Sequence, residues 1–191
     1  MVEVRKMELD DILQQRRAYR ALDEVQVTDG MIGDLAKAAS LSPSCSNNQP
    51  WRFVFVRKGP QMDRLIGTLT KGNYWALKAS MVIAVVSRPE LDCRNDEGDY
   101  NWLDTGMATG FLLLKATEMG LLTHPISGFD QEEARRVLEV PEGYKLLTLV
   151  IVGKRSLDIS GLSEKHQRQE DLRPERLPPE RFAFRERFSG P

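Results

Sequence analysis

Cysteine and histidine are scarce in this chain, two of each among 191 residues. Cys45, Cys93, His124 and His166 show no metal-ligand spacing, which excludes a four-cysteine zinc site and argues against a protein-built metal centre. Two cysteines also rule out a disulfide scaffold and fit a reducing compartment. No charge of one sign dominates: 27 Lys and Arg face 28 Asp and Glu, for a net charge of -1. Nothing in that balance draws the molecule to nucleic acid or to anionic lipid. Long hydrophobic runs are missing too. The most apolar window, Met107 to Leu122, is interrupted by Lys115 and Glu118, and the opening "MVEVRKMELDD" has no apolar h-region, so no membrane segment is predicted and a cytoplasmic location is expected. Neither G-x-G-x-x-G nor a P-loop occurs, which excludes a Rossmann dinucleotide domain, and there is no internal repeat.

What is present is a chain long enough for one substantial core, 41% hydrophobic and 29% charged. "MELDDILQQRRAYR" carries apolar residues at helical spacing and predicts a first helix ending in a cationic turn. Thr28 caps a second helix, which Pro43 stops. "WRFVFV" reads as a strand, Met62 to Leu69 as a third helix, and "MVIAVV", Met81 to Val86, as a central strand with helices on both faces. Tyr100 to Leu121 predicts a long central helix, with Gly106, Ala108 and Gly110 permitting close packing in a core or against a second subunit. "HPISGFD" reads as a turn-rich link. Asp130 and Glu133 form a capping box for the next helix, and "KLLTLVIVG" is a second fully apolar strand. Beyond it the composition shifts to Arg, Glu, Pro and Ser. The expected organisation is a core over residues 1–155 and an extension over 156–191 that packs on the core or on a partner subunit.

Two stretches could carry chemistry. Arg16, Arg17 and Arg20 place three planar guanidiniums within five positions, enough to hold a phosphate by bidentate bonds; the same residues could simply decorate a helix C-terminus. "SLSPSCSNNQPWRFVFV" crowds Ser44, Ser46, Asn47, Asn48 and Gln49 in front of a strand, a mixture of donors and acceptors suited to the edge of a flat heterocycle. An Asx-rich turn accounts for two or three of these residues, not for five. His124 reads either as a proton donor or as a structurally satisfied side chain. Cys45 reads as a small packing residue, because no histidine lies close in sequence to activate it. No catalytic residue is identified.

In chain order, "RRAYR", "SPSCSNNQPWRFV", "ASMVIAVV", "DTGMATGFLLLKATEMGL" and "PISGFD…VPEGYKLLTLVIVGK" resemble the flavin-dependent nitroreductase family, over roughly residues 8 to 155. The resemblance implies an α+β fold, a central mixed or antiparallel sheet flanked by helices, in an intertwined homodimer with FMN at the interface. It implies an FMN-dependent NAD(P)H oxidoreductase: hydride passes from NADH or NADPH to flavin N5 in a ping-pong cycle, and the electrons go on to a nitroaromatic, a quinone or another small-molecule acceptor. Arg16, Arg17 and Arg20, with the backbone amide of Ala18 where many members carry serine, would hold the phosphate and ribityl chain. Pro43, Ser44, Cys45, Ser46, Asn47 and Gln49 would line the isoalloxazine from the other subunit, with Asn73, Ser127 and Gly128 also at the flavin. Lys165 or Arg168 would supply a basic residue to the phosphate. Because the cofactor carries the organic chemistry, no protein acid or base is required. The same resemblance leaves open a flavoprotein of other chemistry, such as reductive dehalogenation or flavin fragmentation, or a flavin-binding protein without turnover.

Overall fold

Residues 7–96 and 98–190 are described in the computed structural model. Its centre is an antiparallel sheet built around two strands with long apolar runs, β3 (Met81–Ser87) and β7 (Lys145–Arg155). They pair from Met81↔Val152 to Ser87↔Lys145, with one register shift between Val85 and Val86. Every residue of β3 is buried, as an unbroken Val/Ile/Ala run requires when both faces of a strand are covered. β2 (Arg52–Arg57) forms one edge against β3. On the other side, β6 (Leu122–Ile126) and β1 (Leu22–Asp23) pair with β7, β1 at its last two residues. A two-residue hairpin, β4 (Arg94–Asn95) with β5 (Gly98–Asp99), stands apart.

Helices cover both faces. Leu35 and Ala39 of α2 (Asp29–Ser40) pack with Ala108, Leu112 and Ala116 of α4 (Asn101–Glu118) over Met81, Ile83 and Val85. On the opposite face Met62 and Leu65 of α3 (Pro60–Ile66) and Ala134 of α5 (Gln131–Val137) meet Val82, Ala84 and Val86. Alternate side chains of β3 therefore feed two separate cores, which is the period-2 rule acting on a strand with no polar face. Thr28 Oγ1 accepts from the Met31 amide at 3.2 Å and Asp130 Oδ1 from the Glu133 amide at 3.0 Å; the return bond of the predicted capping box is replaced, since the Asp130 amide donates to the Thr68 carbonyl at 2.8 Å and Glu133 pairs with Arg136.

The structure corrects three expectations. The first helix, α1 (Leu9–Gln15), ends before the arginines, and Arg16 is already extended at φ -62, ψ 106. Three guanidiniums at helical i, i+3 and i, i+4 spacing would repel one another on one helix face, and from Arg16 to Ala21 the chain is in neither helix nor strand. The first three residues of the stretch read as a turn-rich link, His124 to Ile126, belong to β6, an edge strand in which Pro125 is tolerated because only one flank is paired. Cys45 is not a simple packing residue: it is disulfide-bonded to Cys93, with Cα atoms 6.0 Å apart, which removes the support that reduced cysteines lent to a reducing compartment. The chain past residue 155 is partly ordered, with α6 (Glu164–Asp171) capped by Ser163 and anchored by the buried Glu170. No described helix is long and apolar enough to cross a membrane.

Candidate functional site

The arginine segment is held in place by Tyr19 and by α6. Arg17 and Arg155 each lay a guanidinium on the Tyr19 ring, at 4.5 and 4.1 Å from its centroid. Arg17 also donates to the Glu170 carbonyl at 3.3 Å. Glu170 Oε1 accepts from the Arg20 amide at 2.7 Å and Oε2 from the Ala21 amide at 3.4 Å. A buried carboxylate that takes two backbone donors fixes the local path of the chain. Past α6, Arg173 donates to the Gln14 carbonyl at 3.2 Å and to the Arg16 carbonyl at 3.1 Å, which brings the extension back over α1.

The result is a cavity of about 280 Å³ lined by Arg16, Arg17, Ala18, Arg20, His124, Arg173 and Arg176, among others. Among the described residues no carboxylate lines it. Burial, followed by repulsion from Arg173, Arg176 and Arg17, pulls the Arg16 guanidinium below its ordinary pKa. Arginine stays charged regardless, so the pocket holds like charge at close range, an arrangement that an anion would relieve. His124 stacks on Trp75 with centroids 4.6 Å apart, and its Nδ1 lies 2.9 Å from the Tyr19 carbonyl. Burial lowers its pKa to about 4, so at neutral pH the ring is uncharged: Nδ1–H donates to Tyr19 and Nε2 is left as an acceptor.

The polar loop is built differently. After Pro43 the chain forms a 3₁₀ turn at Cys45–Asn47, and Ser46, Asn47 and Gln49 all take positive φ, at 49°, 57° and 50°. Each non-glycine residue in that region costs of order 1 kcal/mol, so the shape must be imposed from outside. Asp104 of α4, 2% exposed, accepts from the Cys45 amide at 2.6 Å. Ser44 Oγ accepts from the Gln49 amide at 3.0 Å, and Asn48 Nδ2 donates to Asp92 at 3.3 Å. The strand start is fixed by Ser87, which donates to the Pro50 carbonyl at 3.0 Å and accepts from Asn101 at 3.1 Å. Asn47 accepts from Gln49 Nε2 through its carbonyl at 3.3 Å and its Oδ1 at 3.2 Å, and Ser46, Asn47 and Asn48 are exposed. Burial, together with the nearby Asp92, raises the Asp104 carboxyl above the usual range, against the lowering effect of the Cys45 amide.

Asn73, Ser127 and Gly128 meet at the end of β6. The Gly128 carbonyl accepts from the Thr70 amide at 2.9 Å, the Thr70 hydroxyl at 3.1 Å and Asn73 Nδ2 at 2.8 Å. Ser127 is exposed beside them.

The predicted site residues therefore fall into groups at opposite ends of the sheet. The arginine pocket adjoins the Met81 end of β3, through β1 and the Leu122 end of β6. The Pro43–Gln49 loop adjoins the Ser87 end, through Arg52↔Val86. Seven residues of strand separate these ends by about 20 Å, and β2 and β6 stand on opposite sides of the β3–β7 pair. Lys165 and Arg168 lie on α6 and do not line the cavity. Arg173 and Arg176 do, and sequence reasoning passed over them because "RQEDLRPER" reads as a solvated charged tail. Asp104 was passed over as well, hidden in an otherwise apolar helix.

Comparison with known proteins bears on this arrangement. The model of the Nitroreductase family matches residues 13–73 and 63–154. A protein of Archaeoglobus fulgidus with the provisional name NADH dehydrogenase/NAD(P)H nitroreductase is 31% identical over 144 residues, 72% of this chain and 80% of its own. Protein DrgA of Synechocystis sp. is 27% identical over 185 residues, 81% and 88% of the two chains. A solved structure described as an oxidoreductase containing FMN superposes with a TM-score of 0.84 at 28% identity, covering 97% of this chain and 96% of that one.

Proposed function

From the premise that this chain belongs to the nitroreductase family, we propose that it is an FMN-dependent NAD(P)H oxidoreductase whose cofactor site is shared between two copies of the chain. The observation that carries this reading is the cavity of arginines at one end of the sheet and the amide-rich loop at the other. One flavin cannot reach both across about 20 Å of strand, so a site that uses both halves takes them from two chains. Helix α4 supplies a surface for such a pair: Leu103 is 58% and Phe111 42% exposed, on the same side as the exposed Gly106 and the half-buried Gly110.

The residues present fit the cofactor. Arg16 and Arg20, joined by Arg173 and Arg176 of the extension, would take the phosphate. The Ala18 amide and the neutral His124 would border the chain that follows, and Asn73, Ser127 and Gly128 would stand at the ring. The partner's loop would close over the ring with Ser44 to Asn47. Bound there, FMN would supply a two-electron carrier between the nicotinamide and the acceptor. The protein's part is to bind, to orient and to exclude water, and His124, uncharged at neutral pH, would serve there as a neutral polar lining. The test is a visible spectrum with FMN, before and after anaerobic NADH and then NADPH, on the wild-type chain and on Arg16→Ala. Flavin bands that bleach with either nucleotide support the reading. Arg16→Ala is expected to weaken FMN retention by roughly 1.5–3 kcal/mol, the worth of a charged hydrogen bond; no FMN binding by the wild type would end it.

A further inference from the structure

The disulfide lies inside the loop assigned to the flavin. Cys45 is the first residue of its 3₁₀ turn, and Cys93 lies 48 residues on, in the segment between β3 and α4. The ties that hold the left-handed stretch to the rest of the molecule include the Cys45 amide to Asp104, Asn48 to Asp92, and the disulfide. Two of these three run to Asp92 and Cys93. Without the S–S bond, that side of the loop is held by side-chain contacts alone, Asn48 Nδ2 to Asp92 at 3.3 Å and to Cys93 Sγ at 3.6 Å, with Ser46 Oγ 3.8 Å from the same sulfur. None of the described residues of the anchoring segment from Arg88 to Tyr100 belongs to the buried core; its ties are at the surface, such as Arg88 on the Tyr144 ring at 4.8 Å and Arg94 to Glu90 at 2.8 Å. Both cysteines are partly exposed in the single chain, so a reductant can reach them without unfolding the protein whenever the loop is not closed over a partner's flavin.

We infer that Cys45–Cys93 is a site of thiol–disulfide exchange with dithiols, and that the disulfide holds the Ser44–Gln49 loop in the shape that grips FMN. The part concerning FMN rests on the function proposed above. A thiolate of the dithiol attacks one sulfur of the pair and forms a mixed disulfide; the other cysteine leaves as a thiolate and takes a proton from water. The second thiol of the reductant then attacks its own sulfur in the mixed disulfide, releasing the remaining cysteine. Two electrons and two protons have moved from the dithiol, now a cyclic disulfide, to Cys45 and Cys93. The loop, relieved of its clamp, samples other backbone shapes because its left-handed residues are held less firmly. An affinity that depends on one loop shape falls in proportion to the population of that shape.

The experiment treats the native, full-length protein with graded dithiothreitol in the presence of EDTA, which keeps trace metal from the released thiols. Iodoacetamide and mass spectrometry count the thiols, hydrogen exchange follows the amides of residues 44–49, and flavin fluorescence gives the FMN dissociation constant. Cys93→Ser and the Cys45→Ser/Cys93→Ser double variant are measured alongside. The expected result is two adducts per chain without unfolding, faster exchange at 44–49, and a dissociation constant raised about tenfold, as for a loop in its binding shape one tenth of the time. Both variants should sit at the reduced value whatever the dithiol concentration. Thiols that appear only after denaturation overturn the inference, and so do thiols that appear with exchange and FMN affinity unchanged. If FMN binds in neither state, the proposed function fails, and the exchange rates at 44–49 alone decide whether the couple controls the loop.

Discussion

His124 shows how one side chain can be read two ways in a sequence and one way in a structure. Stacked on Trp75 and bonded to the Tyr19 carbonyl, it is desolvated far more than it is stabilised as a cation, and its pKa drops to about 4. A group whose folded-state pKa lies below its unfolded value of about 6.5 contributes stability that is complete above that value and is lost as pH falls toward 4. Full protonation would cost about 3 kcal/mol. Urea unfolding of the wild type should therefore show stability falling between pH 6.5 and pH 4, and His124→Gln should flatten that slope; equal slopes would show that the ring is not held neutral. The sequence could place His124 near a strand end but could not say which carbonyl and which ring would surround it. Arg16, Arg17 and Arg20 were legible because three arginines in five positions are conspicuous. Arg173 and Arg176, equally part of the pocket, were not, since their place depends on a turn back from α6 that no local pattern encodes.

Strand β6 and the segment that meets its end form the element on which the ring half of the site would rest. A Cβ on Gly128 would lie 2.6 Å from Thr70 Oγ1 and 2.7 Å from Asn73 Nδ2, and both atoms donate to the Gly128 carbonyl. Neither can retreat and keep its bond. Gly128→Ala is expected to cost 1–3 kcal/mol, as overpacking does, read as a lower urea midpoint with an unchanged slope. The apolar strands β3 and β7, helices α2 and α4 and the caps at Thr28 and Asp130 were all readable, because periodicity and cap chemistry are local. β6 was obscured by Pro125, whose presence speaks against a strand unless the strand is known to lie at an edge. The early end of α1 was obscured for a related reason: the apolar spacing of Leu9, Ile12 and Leu13 says nothing of how three arginines beyond them repel.

At the scale of the molecule, the function proposed above divides the site between the two ends of the sheet and would make association a condition of cofactor binding. Phe111 on α4 is 42% exposed, so Phe111→Arg should leave the monomer fold intact. Light scattering is expected to give twice the 21.7 kDa chain mass for the wild type and a single chain for the variant, with FMN retention lost in parallel. A wild-type monomer that binds FMN would sink the two-chain site. The connectivity of the sheet also bears on how the chain comes to be folded. β1 is made about 130 residues before Lys154–Arg155, its partner in the sheet, and β3, buried along its whole length, waits for β7 to cover its other flank. At 5–20 residues per second of synthesis, β1 spends about 10 s without its partner, and one hydrogen-bonding edge of the apolar strand β3 stays open on the ribosome until β7 emerges. The newborn chain, more than the finished protein, is the form that needs guarding against aggregation.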